Sequence, residues 1–200
     1  MKVLGIDFDG LIHDSLTVCA HESTMTHKEF GVDIEITPDF LRATSAPDVK
    51  GVELPTNVDS DALWLRYLER LTQTELGPMI QHADTFLAQA LKRYDKVVVI
   101  SGCPKENIVK FLDKHQLPQL EVVSVIGSKT LAIIAQKVTT YSGDMVQDGI
   151  DSLAANARFI AVLHEQAFTQ ADALLEFKNK NPGKPIFLAN DLQDAIKYFE

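Results

Sequence analysis

The chain has 200 residues, with 19 basic and 28 acidic side chains and a formal charge of −9. An apolar share of 46% and a charged share of 24% exclude wholesale disorder, and the length fits one core carrying a modest insertion. The acidic balance argues against partners such as nucleic acid or an anionic membrane surface, so a phosphate ligand would need a local positive device. Cys19 and Cys103 form no paired spacing, which points away from a zinc site or disulfide framework and towards a reducing compartment. The first apolar stretch is too short for a signal peptide, and no run approaches the roughly 20 residues of a membrane helix. The expectation is a soluble cytoplasmic protein, either a monomer or a homodimer.

Val3-Leu4-Gly5-Ile6 opens the chain as an apolar run of the kind found in parallel strands buried on both faces. Residues 15–30 then predict a helix closed by Gly31. Asp59 or Ser60 caps a second helix, with Leu63, Trp64, Tyr67, Leu68 and Leu71 on one face. Ala83, Phe86, Leu87, Ala90, Leu91 and Tyr94 follow helical spacing, and Lys96-Val97-Val98-Val99-Ile100 is the next strand. After Pro104 a helix carries Ile108, Val109 and Leu112. Residues 121–126 read as a strand, 129–136 as a helix capped by Ser128, and Val138-Thr139-Thr140-Tyr141 as a strand. Phe159-Ile160-Ala161-Val162, a weaker Pro185-Ile186-Phe187-Leu188 and a helix over 191–198 complete the pattern. Lys178, Lys180 and Lys184 around Asn181-Pro182-Gly183 read as a solvated turn. Alternating strands and helices predict an α/β fold, a Rossmann-like parallel sheet with helices on both faces. About ninety residues separate Asp9 from Ser101, against roughly thirty for an ordinary crossover. Residues 16–80 are therefore expected to form a small α-helical cap inserted after the first strand, and 1–15 with 81–200 the core.

Parallel sheets bind ligands at the carboxyl ends of their strands. Those ends carry Asp7-Phe8-Asp9-Gly10, Ser101-Gly102, Gly127-Ser128-Lys129 and Gly143-Asp144, with Asp148 four residues on. Two carboxylates 4 Å apart repel by about 4 kcal/mol at an effective dielectric of ~20. A cluster of four needs a cation, and oxygen-only ligands select a hard one, namely magnesium.

At these residues the sequence resembles the haloacid dehalogenase superfamily of aspartate-nucleophile phosphotransferases. Asp7-Phe8-Asp9-Gly10 matches its first motif, Ile100-Ser101-Gly102 its second, Lys129 its third and Gly143-Asp144-Met145-Val146-Gln147-Asp148 its fourth. The long insertion resembles the helical-cap subgroup, which includes phosphoglycolate phosphatase, phosphoserine phosphatase and β-phosphoglucomutase. The resemblance implies a magnesium-dependent phosphatase acting on a small phosphorylated metabolite. Asp7 would be the nucleophile and Asp9 the general acid and base, while Ser101 and Gly102 would hold phosphate and Lys129 would neutralise it. Asp7, the Asp9 carbonyl and Asp144 would bind Mg2+, with Asp148 a ligand or a support for one. Dehalogenating members lack an acid at the position of Asp9, so phosphate chemistry is favoured here. A sugar phosphomutase is the alternative, and a non-catalytic binding module a third reading.

The sequence departs from the family pattern at Leu11, where threonine is usual, and at Ser142 and Arg158. Lys137 rivals Lys129 for the third motif, although it falls where a helix meets a strand. His21-Glu22 with His27 has the wrong spacing for a zinc protease, and Gly127-Ser128-Lys129-Thr130 lacks the rest of a P-loop. His13 reads as a solvated loop residue and Cys103 as a small packing residue with a raised pKa. Trp64, Tyr67 and Leu68 read as cap core rather than as a substrate box.

Overall fold

A computed structural model describes residues 1–44 and 54–200; residues 45–53 of the expected cap lie outside the described residues. Among the described residues, six strands form a single parallel sheet: β1 (Val3–Ile6), β2 (Lys96–Ser101), β3 (Glu121–Ser124), β4 (Thr140–Gly143), β5 (Arg158–Val162) and β6 (Ile186–Ala189). Their spatial order is β3-β2-β1-β4-β5-β6. The chain runs outward from β1 to β3 and then crosses to β4 on the other side, so the order reverses between β1 and β4. That is the position at which a doubly wound sheet opens a ligand crevice.

Alternate residues of the strands feed two cores. Leu4, Ile6, Val97, Val99, Ile160 and Val162 pack into one. Val3, Val98, Ile100, Tyr141, Phe159 and Ala161 pack into the other. Both faces are covered, as the apolar runs require.

Between β1 and β2 lie α1 (Leu16–Glu29), α2 (Pro38–Thr44), α3 (Ser60–Gln73) and α4 (Ala83–Arg93). Asp59 caps α3 by accepting from the backbone N–H groups of Asp61 at 2.9 Å and Ala62 at 3.2 Å. Helices α1 and α3 pack together, with Leu63 and Tyr67 buried in a small cluster of their own. Ion pairs tie the same two helices, Arg70 to Glu22 at 2.8 Å and Arg66 to Glu29 at 2.7 Å. Helix α4 is the crossover; its Ala83, Phe86, Leu87 and Ala90 are buried against the sheet.

The remaining helices are α5 (Lys105–Lys114), α6 (Thr130–Ala135), α7 (Val146–Ala154), α8 (Ala171–Lys180) and α9 (Leu192–Ala195), the last running into a 3-10 turn, Ile196–Tyr198. Among the described residues no helix is long and apolar enough to cross a membrane.

Several elements differ from the sequence expectation for local reasons. The fourth strand begins at Thr140 rather than Val138. The Val138 N–H is taken by Ile133 O at 3.0 Å, and Lys137 at φ +56 closes α6, so no ladder starts there. Helix α6 begins one residue late, at Thr130, because Ser128 turns its hydroxyl to Asp151 and Lys129 takes the cap position. Lys178 and Lys180 are not turn residues but the last turn of α8, where cations favour the helix dipole.

Candidate active site

Asp7 follows β1 directly, and its backbone N–H still bonds Ser142 O on β4 at 2.9 Å. The carboxyl is therefore fixed at the crevice between the two strands. Phe8 N–H donates to Asp7 Oδ1 at 2.8 Å, and the Lys129 ammonium lies 2.6 Å from Oδ2. The same ammonium is 2.8 Å from Asp148 Oδ1 on α7. Asp144, one residue past β4, accepts from the Phe168 N–H through Oδ2 at 2.6 Å. All four side chains are buried or nearly so.

Two glycines make this proximity possible. Gly10 adopts φ +72, and a Cβ there would run into the Asp144 carboxylate. A Cβ at Gly143 would run into Asp148. The glycines of the first and fourth motifs are thus required by the packing of the carboxylates themselves.

One carboxylate oxygen from each of Asp7, Asp144 and Asp148 lies within 4.8 Å of the others. Three carboxylates against one ammonium leave two negative charges in a buried site, which is costly without a counter-ion. The imbalance shows in the titration. Burial pushes Asp7 up to about 7, Lys129 partly offsetting this and Asp148 adding to it. Burial, then Asp7 and Asp148, hold Asp144 well above the usual carboxylate range. Burial also works against the Lys129 charge, but Asp148 and Asp7 outweigh it and raise its pKa well above the ordinary value. Asp144 Oδ1 is buried with no hydrogen-bond partner. An orphaned carboxylate oxygen within a cluster of three buried carboxylates is the environment a divalent cation would complete. The triad can hold a metal ion.

Asp9 stands apart from the triad. Its side chain is 24% exposed, and its Oδ1 is 2.9 Å from His13 Nδ1. Ser101 ends β2 with its hydroxyl buried, accepting from the Cys103 N–H at 3.3 Å. Ser101 and the exposed Gly102 border a cavity of about 510 Å³ that also reaches Asp7, Asp9, Lys129 and Asp148. The structure thus brings Asp7, Asp9, Ser101, Gly102, Lys129 and Asp148 to one cavity, with Asp144 beneath it against Asp7 and Asp148. Lys137 is exposed at the far end of α6.

One expectation changes, at His13, and the structure adds to the sequence reading at two other places. His13 is not a solvated loop residue: it is 2% exposed, packed against Phe8 and Phe111 at ring separations of 5.2 Å and 5.0 Å. Trp64, Tyr67 and Leu68 do belong to the α3 cluster, yet they also line the cavity above Asp7. Asp151, absent from the motif reading, is buried and accepts from Ser128 Oγ at 2.7 Å, Lys129 N–H at 2.8 Å, Thr130 Oγ1 at 2.9 Å and Gln147 Nε2 at 3.2 Å. It clamps the loop that presents Lys129. Its spacing from Asp148, three residues along one helix, was the signal available in the sequence. Cys103 is buried as expected, its thiol pushed up first by burial and then by Asp9.

No protein-family profile matches the sequence, and no curated protein does. Solved structures do match. The chain aligns with a predicted phosphatase from Clostridium acetobutylicum at TM-score 0.72 and 17% identity, over 98% of this chain and 96% of that one. A haloacid dehalogenase-like family hydrolase from Streptococcus pneumoniae gives 0.67 at 15% identity, over 100% and 99%. A HAD family hydrolase from Deinococcus radiodurans, solved with bound phosphate and sodium, gives 0.60 at 18%, over 94% and 90%. The chain has the haloacid dehalogenase-like fold.

Proposed function

We propose that this protein is a magnesium-dependent phosphatase that hydrolyses a small phosphate monoester through an aspartyl-phosphate on Asp7. The observation that carries the reading is the arrangement around Asp7: a buried carboxylate at the cavity floor, paired with Lys129 at 2.6 Å, with a second acid, Asp9, two residues on and turned away from the cation-binding triad. The phosphate bound in the Deinococcus radiodurans neighbour is in keeping with it.

Asp7 would attack phosphorus through a carboxylate oxygen, forming the acyl-phosphate bond as the ester P–O bond breaks. Asp9 would give its proton to the departing alkoxide. It would then accept a proton from the water that attacks the phosphoenzyme, releasing inorganic phosphate and restoring Asp7. Lys129, which needs to stay charged to work, is held so by Asp7 and Asp148 and would balance the charge of the bound phosphoryl group. Ser101 Oγ and nearby backbone N–H groups would orient its oxygens. Magnesium, held by Asp7, the Asp9 carbonyl and Asp144 with support from Asp148, would neutralise phosphoryl charge and let two anions approach. Residues 16–80 would serve as a lid whose α3 covers the cavity and keeps water from the phosphoenzyme until the alcohol has left.

The test is phosphate release from a panel of small monoesters with magnesium present. Activity that disappears in Asp7→Asn supports the reading; turnover that survives Asp7→Asn refutes it.

A further inference from the structure

We infer that the cavity above Asp7 selects a phosphate monoester whose alcohol is uncharged and apolar, carrying a ring or branched hydrocarbon rather than a carboxylate, a second phosphate or a polyol. The inference deepens the phosphatase reading and rests on it for the placement of the phosphate.

The cavity, about 510 Å³, is in the range of small-molecule sites. Its chemistry is divided. The hydrogen-bonding and charged groups crowd at the floor, around Asp7, Ser101 and Lys129. The apolar lining comprises Trp64, Tyr67, Leu68 and Leu71 of α3 together with Val125 and Ile126 after β3. The Trp64 and Tyr67 rings lie 5.4 Å apart at 31°, with Tyr67 buried and Trp64 half-buried. Leu63 and Tyr67 satisfy the packing of α3 against its own cluster, whereas Trp64, Leu68 and Leu71 remain half-buried. These three pack against that cluster and also line the cavity. Ile126 is 69% exposed. An apolar ligand against this lining would remove that surface from water.

Charge points the same way. Lys129 is the one cation among the described residues lining the cavity, and it is already shared between Asp7 and Asp148. A second anionic group on the substrate would find no ammonium or guanidinium among those residues, and Asp148 and Asp151 would repel it. Beyond the floor, the Ser128 hydroxyl and the Gln147 amide are already engaged by Asp151, at 2.7 Å and 3.2 Å. An apolar wall leaves a polar substrate group unpaired, and discrimination of this type is on the order of 10- to 100-fold.

The experiment uses non-hydrolysable probes, so that binding is read separately from turnover. Calorimetry with magnesium present compares benzylphosphonate, phosphonoacetate and inorganic phosphate on the wild type, Leu68→Ala and Leu68→Lys. Benzylphosphonate is expected to bind at least ~10-fold more tightly than phosphonoacetate, the scale on which apolar pockets discriminate. Leu68→Ala should weaken benzylphosphonate several-fold and leave inorganic phosphate unchanged, and Leu68→Lys should narrow or reverse the preference. Phosphonoacetate binding as tightly as benzylphosphonate to the wild type overturns the inference. Phosphate release from benzyl phosphate and 2-phosphoglycolate is followed in parallel. A benzylphosphonate preference without release from any ester would remove the phosphatase reading and leave the chemistry of the pocket standing.

Discussion

His13 holds Asp9 through a proton whose place is dictated by the backbone. The Gly77 N–H donates to Nε2 at 2.8 Å, so the ring proton sits on Nδ1 and is donated to Asp9 Oδ1 at 2.9 Å. Oδ2 of Asp9 is thereby the oxygen that would carry and exchange a proton. Gly77 lies on the segment that returns from α3 towards the core, where Asp14 N–H bonds Pro78 O and Ile80 N–H bonds Ile12 O, each at 2.9 Å. The orientation of the proposed acid is tied to the chain that carries α3. His13→Phe preserves the ring packing and removes the donor. A hydrogen bond to a charged group is worth about 1.5–3 kcal/mol, so kcat for alkyl phosphates should fall roughly 10- to 100-fold. The loss should be smaller for 4-nitrophenyl phosphate, whose leaving group needs no proton; steady-state kinetics on both esters checks this, and equal losses would make the role of His13 purely structural.

Asp151 supports Lys129 from below. Four donors converge on one buried carboxylate, among them the Lys129 backbone N–H. Asp151→Asn keeps the shape but replaces an acceptor oxygen by a donor and removes the charge. We expect a stability loss of about 2 kcal/mol, the scale of charge-assisted bonds, and a fall in kcat greater than any change in KM. Denaturant titration and kinetics at a temperature well below unfolding separate the two effects.

Magnesium should bind with proton release. Burial raises Asp7 to about 7 and Asp144 well above the usual carboxylate range, so a cation that binds there displaces protons. A carboxylate with a raised folded pKa stabilises the fold fully below its unfolded pKa, and that contribution is lost as pH rises through the folded value. For Asp7 the window runs from about 4 to about 7. His115, lowered by burial and by Lys114, has the opposite slope near its ordinary value, so the informative quantity is the difference between EDTA and magnesium. The magnesium-induced rise in Tm should grow from pH 5.5 to 8. Calorimetry in both buffers tests this, and a rise independent of pH would argue against the triad as the site.

The two thiols should resist modification in the folded protein. Burial, followed by Asp9, pushes Cys19 up to about 12, and Cys103 is raised likewise. Since the thiolate is the reactive form, iodoacetamide at pH 8 should label neither residue until the protein is unfolded. Mass spectrometry of native and urea-treated samples gives the comparison.

The sheet was legible because its strands are buried on both faces: Lys96-Val97-Val98-Val99-Ile100 leaves a continuous apolar run that a helix or hairpin would not produce. The site was legible for a related reason, since a parallel sheet brings to one edge whatever ends its strands. Side-chain partnerships were not. Nothing in the spacing of Asp9 and His13 distinguishes a solvated imidazole from one held by Gly77, sixty-four residues away in the chain. Asp151 was hidden because a lone aspartate on a helix face is ordinarily solvated, and only the loop folded over α7 makes it an acceptor for four donors. The start of β4 was misplaced because Val138 and Thr139 suit a strand by type, whereas the closure of α6 consumes the Val138 N–H. Helix α8 is masked in the sequence by its terminal Lys178 and Lys180, whose charge suits a solvated turn, while Leu174 is the residue it buries.

The central claim is the covalent bond to Asp7, and the Asp9→Asn variant offers the way to see it. With its water-activating group weakened, this variant should accumulate phosphoenzyme on 4-nitrophenyl phosphate, because that ester spares the acid step and leaves the hydrolytic one impaired. Acid quenching, borohydride reduction and peptide mass spectrometry would then show homoserine at position 7, the product of reducing an aspartyl-phosphate. Homoserine at Asp7, present with substrate and magnesium and missing in their absence, is the result we expect. Continued phosphate release with Asp7 unmodified, or with the phosphoryl group found on Ser101 or another residue, would contradict the account.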